Sequence, residues 1–412
     1  MRIKYIILIF LCCFKLFSQE RDLNYYLEKA QKNSPLLIDL KNQIRSNSLD
    51  SLLVRATYKT QVNGSVLANY APQIDSIGYD NAVTNGQTLT ALVSARKNLI
   101  PKSIINSQAN SFKLIKELLQ INRKIAVKDL NKAITSQYIA TAGTSEQIIY
   151  NQKIEKLLND EGGILKKLTQ NSVYKQTDYL IFLSTIKNQE FILLQLKQQY
   201  QNDLGLLNYL SGEVDTTFVK LKNPDIQLKD NLNSEKNIFF KPFEIDSLRF
   251  QNQNKIIDNF YKPQFTLLAD AGYLSSFAIK PYRNFGFSVG AGLTIPIFDG
   301  GQRSLNHQKI AVNIETNLAY LTNFKKQYKQ QLLQLNQKLE QIKTSENQLQ
   351  SQLKIVDALI DAQKKLLLTG DVQITEYAIA IGNLIAINNA ISQNQINTFQ
   401  LINEINYWKL NE

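Results

Sequence analysis

The chain has 412 residues, 44% of them apolar, and carries 47 basic against 35 acidic side chains, a formal net charge of +12. It contains 19 Tyr and 19 Phe but one His, one Met, one Trp and two Cys. That inventory leaves a His/Cys metal site, a Cys–His pair or a Ser–His pair nothing to work with, so no catalytic residue, metal or cofactor is expected. The lysines are scattered among Gln and Asn along helical stretches, with no Gly-aromatic strand motif or Arg-rich arm. They read as solvated helix faces, and nucleic acid is not expected as a partner.

The opening RIKYIILIFLCCFKLFSQE joins a basic start (Arg2, Lys4) to an apolar run from Tyr5 to Phe14 that Lys15 interrupts, the layout of a secretory signal over 1–18. Cleavage after Ser18 would remove both cysteines, Cys12 and Cys13, and lower the net charge to +9. No disulfide or thiolate would then remain. A lipid anchor at Cys12 is the alternative, although Leu11 stands where a small residue is usual. No later stretch has eighteen consecutive apolar residues, so any membrane crossing is expected from strands.

A first repeat is expected over 19–211. Apolar residues at three- and four-residue steps (Leu36, Leu40, Ile44, Leu49, Leu52) predict two helices before Tyr58, the second opened by Pro35 after an Asn33-Ser34 cap. The period then changes to two. A strand over 60–70 sets Val62, Gly64, Val66, Ala68 and Tyr70 against Gln61, Asn63, Ser65 and Asn69. A second, over 86–98, sets Leu89, Ala91, Val93 and Ala95 against Thr88, Thr90, Ser94 and Arg96. Helical spacing resumes over 102–170, with Gly162-Gly163 expected to bend it, and a shorter helix returns over 173–210. A less regular linker covers 212–241.

The second repeat, 242–412, runs the same programme: a helix over 244–260, strands over 263–274 and 285–297, a long helix over 301–369 and a shorter one over 372–410. Lys59-x-Gln61-Val62 with Ala68-x-Tyr70 returns as Lys262-x-Gln264-Phe265 with Ala271-x-Tyr273, and Thr177-Asp178-Tyr179 as Thr375-Glu376-Tyr377. Both pairs are separated by about 200 residues, which indicates an internal duplication. From Phe285 to Ile297 every odd position is apolar and every even one small or breaking, until Asp299-Gly300-Gly301 hands the chain to the long helix. That helix carries an apolar seam from Ile310 to Ile360 with Glu346 as its polar exception, and at ~1.5 Å per residue it extends ~100 Å, about three times a bilayer's hydrocarbon core.

Four strands cannot close a barrel in lipid, where every backbone group must be paired and closed barrels need about eight or more. Several chains are therefore expected to share one. With the apolar faces toward lipid, the other face, including Asn63, Ser65, Arg96, Asp270, Ser288 and Thr294, lines a polar lumen; Leu92 and Leu268 share it.

The LxxxLEKAxxNSP helix (Leu23 to Pro35), two strand pairs each followed by a long and a shorter helix, and above all the stretch Ile295-Pro-Ile-Phe-Asp-Gly-Gly-Gln-Arg303 resemble the TolC-type outer membrane factors. The resemblance covers essentially all of the chain beyond the signal. It implies a mixed α and β membrane protein, a trimeric 12-stranded β-barrel with four strands per chain continuous with a long α-helical barrel. It implies a homotrimer in outer membrane lipid with a periplasmic helical extension. The trimer would be the passive exit duct of a tripartite efflux pump or type I secretion system, docked to a periplasmic adaptor (membrane fusion) protein and an inner-membrane transporter. Pro296, Asp299, Gly300 and Gly301 form the strand-to-helix break.

The adaptor would meet the helix tips at Leu168, Asn171 and Val173 and at Leu368, Thr369, Gly370 and Val372. Candidate gate residues are Glu376, Asp178 and Asp371. The next acidic position of the family pattern is Ile379 here, and an Arg common near that tip is Val372. The plainer reading of Glu376 and Asp178 is a helix-start acid favoured by the dipole. His307, alone of its kind, is expected on a solvated helix face. An exported elongated coiled-coil scaffold or adhesin is the competing function; it would lack paired alternating strands ending in a glycine break.

Overall fold

The computed structural model describes residues 21–79, 85–215, 217, 219–229, 237–277 and 280–409. The signal read over 1–18, with Cys12 and Cys13, lies outside them. In order, the chain forms α1 (Leu23–Asn33), α2 (Pro35–Thr57), β1 (Gln61–Tyr70), β2 (Gln87–Leu99), α3 (Lys102–Gln170), α4 (Gln176–Ser211), α5 (Lys241–Phe260), β3 (Gln264–Ser275), β4 (Phe285–Thr294), α6 (Gln302–Thr369) and α7 (Ile374–Trp408). The chain divides into two compact units, one of residues 39–123 and 239–323, the other of 1–38, 124–238 and 324–412.

The first unit holds one antiparallel sheet in the order β1-β2-β3-β4. Its register aligns the period-two pattern of every strand. Asn63, Ser94, Asp270 and Ser288 form one row across the sheet, and Val62, Ala95, Ala269 and Val289 form the next row on the opposite face. One slip would exchange the faces, so the pattern specifies the register. Gly272 sits at a close approach: a Cβ there would lie 2.1 Å from the Ala91 carbonyl oxygen. β4 stops at Thr294 and not near Ile297. Pro296 has no N–H to give to a ladder, which ends the strand before the glycine break.

Beside the sheet, α5 packs on the start of α3 through short polar side chains. Asn252 donates to the Ser107 carbonyl and the Ser111 hydroxyl, both at 2.8 Å, and Asn259 donates to the Ser107 hydroxyl at 2.9 Å. These amides are buried but bonded, which keeps the cost of burying them low.

In the second unit the far parts of α3 and α6 pack with α1, α4 and α7. One cluster surrounds Tyr26, Ile134, Tyr138 and Leu207; another, larger, lies at the helix tips. At the level of the first cluster a polar ladder joins α3 to α7: Gln400 donates to the Ser136 carbonyl at 2.8 Å, Asn403 donates to the Lys132 carbonyl at 3.0 Å, and Lys132 pairs with Glu404 at 3.2 Å. α3 is helical throughout, Gly162-Gly163 included. Gly162 sits at a close approach, since a Cβ there would meet Ile186 Cδ1 at 2.7 Å. α4 and α7 begin at Gln176 and Ile374, later than the spacing suggested, because the tip turns take up the intervening residues.

Candidate functional site

Three places carry the residues singled out in the sequence. On the sheet, Asn63, Ser65, Arg96, Asp270, Ser288 and Thr294 share one face, as the alternation required. The Ser288 hydroxyl donates to Asp270 at 2.7 Å along the row. The opposite face is apolar and open: Val66 is 77% exposed, Phe287 84% and Val289 77%. At its loop end Tyr273 stacks edge-on with Phe285 at 5.2 Å. Soluble chains seldom expose so continuous an apolar surface.

The second place is the joint from β4 to α6. Gly300 (φ +66°) and Gly301 (φ +84°) take the left-handed turn that an L side chain resists. The Asp299 carboxylate then accepts from the Gly301 N–H at 2.9 Å and the Arg303 N–H at 2.7 Å, capping the helix. The Tyr261 hydroxyl and these N–H groups hold the Asp299 carboxyl below its ordinary range. Arg303 turns its guanidinium to Asp258 on α5 at 2.7 Å, and His307, one turn on, meets Asp258 at 3.1 Å and Asn254 at 2.7 Å. The Arg303 hydrogen bond is the main reason the Asp258 carboxyl titrates below its ordinary range. His307 is thus half-buried in the joint and not on a solvated face. The DGGQR stretch works as a fastening between a strand end and two helices. A signal for it was present in the sequence: Asn254 and Asp258, like Arg303 and His307, are four residues apart and share a helix face.

The helix tips are the third place. Both hairpins close in the same way, Val173 N–H to the Leu168 carbonyl at 2.9 Å and Asp371 N–H to the Leu366 carbonyl at 3.1 Å. The turning residues are left-handed, Ser172 at φ +63° and Gly370 at φ +86°, as a Schellman closure requires. Leu168 is half-buried against the tip core, while Asn171, Val173, Leu368 and Thr369 are exposed. Val372, expected on the docking surface, is 7% exposed and packs with Tyr174, Leu367 and Ile374 in that core. An apolar side chain there follows the core and not the solvent, because its helix start is wedged between the two turns. An open groove of about 750 Å³ between the turns is lined by Ser172, Val173, Asp178, Gly370 and Thr375 among others.

Of the three acids, Glu376 and Asp371 are exposed. Asp178 accepts from the Lys175 N–H at 3.0 Å and so caps α4. Sequence reasoning missed a fourth acid. Glu161 is 1% exposed, accepts a short hydrogen bond from the Tyr377 hydroxyl and pairs with Lys364 at 3.4 Å. One carboxylate on α3 therefore ties α6 and α7. Burial, with the Glu161 bond added, holds the Tyr377 hydroxyl protonated far above its ordinary range.

Among the described residues no group of three or more His, Cys, Asp or Glu could hold a metal ion. α7 is long and apolar enough to cross a membrane by length and composition. Its apolar face is already taken by the tip core through Ile374, Tyr377, Ile381 and Leu384, and its amides by the ladder to α3.

No protein-family model and no curated protein matches the chain. Solved structures do. CusC, studied for the conformational changes that accompany folding and transmembrane channel formation, superposes with a TM-score of 0.80 at 11% identity, over 97% of this chain and 94% of that one. The outer membrane protein VceC of Vibrio cholerae gives 0.78 at 13% identity, over 94% and 95%. The outer membrane channel MtrE of Neisseria gonorrhoeae, in its open state, gives 0.74 at 11%, over 94% and 88%. At these identities the likeness is one of fold, and it meets the expectation raised by the IPIFDGGQR stretch: this chain has the protomer fold of the TolC-like outer membrane factor channels.

Proposed function

We propose that three copies of this chain form an outer membrane exit duct, a 12-stranded barrel continuous with a helical tunnel in the periplasm. The observation that carries the reading is the sheet itself, polar on one face, apolar on the other, with β1 and β4 left as free edges. In lipid each unpaired backbone group costs several kcal/mol, so the β4 edge of one copy should pair with the β1 edge of the next. The apolar face then meets hydrocarbon, and the row Asn63, Ser94, Asp270 and Ser288 meets water. Each repeat would supply two strands and one helical hairpin to the same ring.

Conduction in this reading is passive and no enzymatic step is assigned to the chain; CusC and MtrE are described as channels. Energy would come from an inner-membrane transporter coupled through a periplasmic adaptor, as in a tripartite efflux pump or a type I secretion system. The exposed tip residues Asn171, Val173, Leu368 and Thr369 are the proposed adaptor contacts, and Glu376 the proposed gate carboxylate. A coiled-coil scaffold or adhesin has no use for a two-faced sheet that ends in a glycine joint. The test is membrane fractionation with cross-linking, followed by planar-bilayer recording. The duct predicts an outer-membrane trimer with ion-conducting steps; a monomer in the soluble periplasm would rule it out.

A further inference from the structure

The apolar seam of α6 packs on α7 in two stretches. Leu335 and Leu339 meet Ile405, while Leu353, Val356 and Ile360 join the tip core with Ile381 and Leu384 of α7. Glu346, the polar exception of the seam, falls between them, and there the packing opens into a cavity of about 330 Å³. Its walls come from α3, α6 and α7, and the linker adds Asn223 and Pro224.

A second carboxylate reaches the same cavity from α3. Glu146 lies one turn from Gly143, whose missing Cβ lets Ile396 of α7 close in. Glu346 follows Ser345, whose hydroxyl accepts from the Asn394 amide of α7 at 3.2 Å. Ile396 and Asn394 are two residues apart, so the acids of α3 and α6 meet α7 at one level. Among the described residues neither carboxylate has a hydrogen bond or an ion pair. Ile139, Ile396 and Phe399 supply an apolar wall. A helix seam has no use for an acid, and a solvated acid has no need of a seam position. A cationic occupant of the cavity accounts for both.

We propose that this cavity binds an aliphatic diamine in its doubly protonated form, one ammonium on Glu146 and the other on Glu346, with the methylene chain along the apolar wall. Two carboxylates beside an apolar surface match two cations joined by an apolar chain. A hydrated metal ion would gain nothing from Ile139, Ile396 and Phe399, and a monoamine would leave one carboxylate unmatched. The volume, at the small end for ligand pockets, suits a slender unbranched molecule. The site is built by one chain and does not depend on the pore reading.

The test is calorimetric titration of the purified full-length protein with 1,6-diaminohexane, hexylamine and 1-hexanol. The site predicts that the diamine binds several-fold more tightly than the amine, and the alcohol least. Glu146→Gln and Glu346→Gln should each bring the diamine down to the level of the amine. Glu315→Gln, at an exposed acid of α6 outside the cavity, should leave the diamine affinity unchanged. Equal affinity for diamine and amine, or a diamine affinity untouched by either cavity substitution, would overturn the site. So would an equal loss in Glu315→Gln, because the amines would then be following surface charge alone. The absence of any binding would overturn it as well.

Discussion

The Arg303 guanidinium donates to Asp258 Oδ1 at 2.7 Å, from the second residue of α6 to the last turn of α5. Because this bond depresses the Asp258 carboxyl, its contribution is fully present above the unfolded carboxylate range near ~4 and is lost as pH falls through the lower, folded value. Asp258→Asn should therefore lower the thermal midpoint of the helical circular-dichroism signal at pH 7, and the gap to the unsubstituted protein should shrink as the pH falls below ~4. Both groups are about half exposed, so the effect at pH 7 should be modest. A gap that stays constant over this range would assign the effect to packing.

In the tip core the Tyr377 hydroxyl donates to Glu161, whose partner on α6 is Lys364. Tyr377→Phe leaves a buried carboxylate short of one donor, a loss of about 1–3 kcal/mol. Thermal melts should show it, and Glu161→Gln in the same background should recover part of it by removing the buried charge. A tyrosine-to-phenylalanine change with no effect would mean that Lys364 alone satisfies the carboxylate.

Two glycines of the sheet should respond in opposite ways. Gly272→Ala would drive a Cβ onto the Ala91 carbonyl at a positive φ of +151°, whereas a Cβ at Gly290 meets nothing within 4 Å. The first substitution should cut the yield of folded protein sharply, by a mechanism worth about 1–3 kcal/mol or more. The second should leave it unchanged. Yields on denaturing gels without boiling distinguish them.

The strands were legible because one face of each is largely apolar and the other largely polar, and a period of two records that directly from Val62 to Leu293. The tips were legible to within a few residues, since only the left-handed turns at Ser172 and Gly370 separate long helical patterns. Glu161 was not, because an acid in a Lys-rich helix reads as solvated until the helices that bury it are in place. Val372 was misread for the opposite reason: an apolar side chain beside a turn can cover either a partner or its own core. The close approach at Gly162 was not legible, because spacing along one helix says nothing about how near Ile186 of the next will come. Asp258 escaped because its bond to Arg303 joins elements 45 residues apart.

The central claim is that two neighbouring residues of β4 face different solvents. With the only cysteines of the chain at 12 and 13, in the stretch read as a signal, single cysteines at Ser288 and Val289 can be labelled with an environment-sensitive dye in reconstituted vesicles. Brominated lipid should quench the dye at 289 and leave 288 unchanged, while a water-soluble quencher should do the reverse. Equal quenching at the two positions would contradict the account.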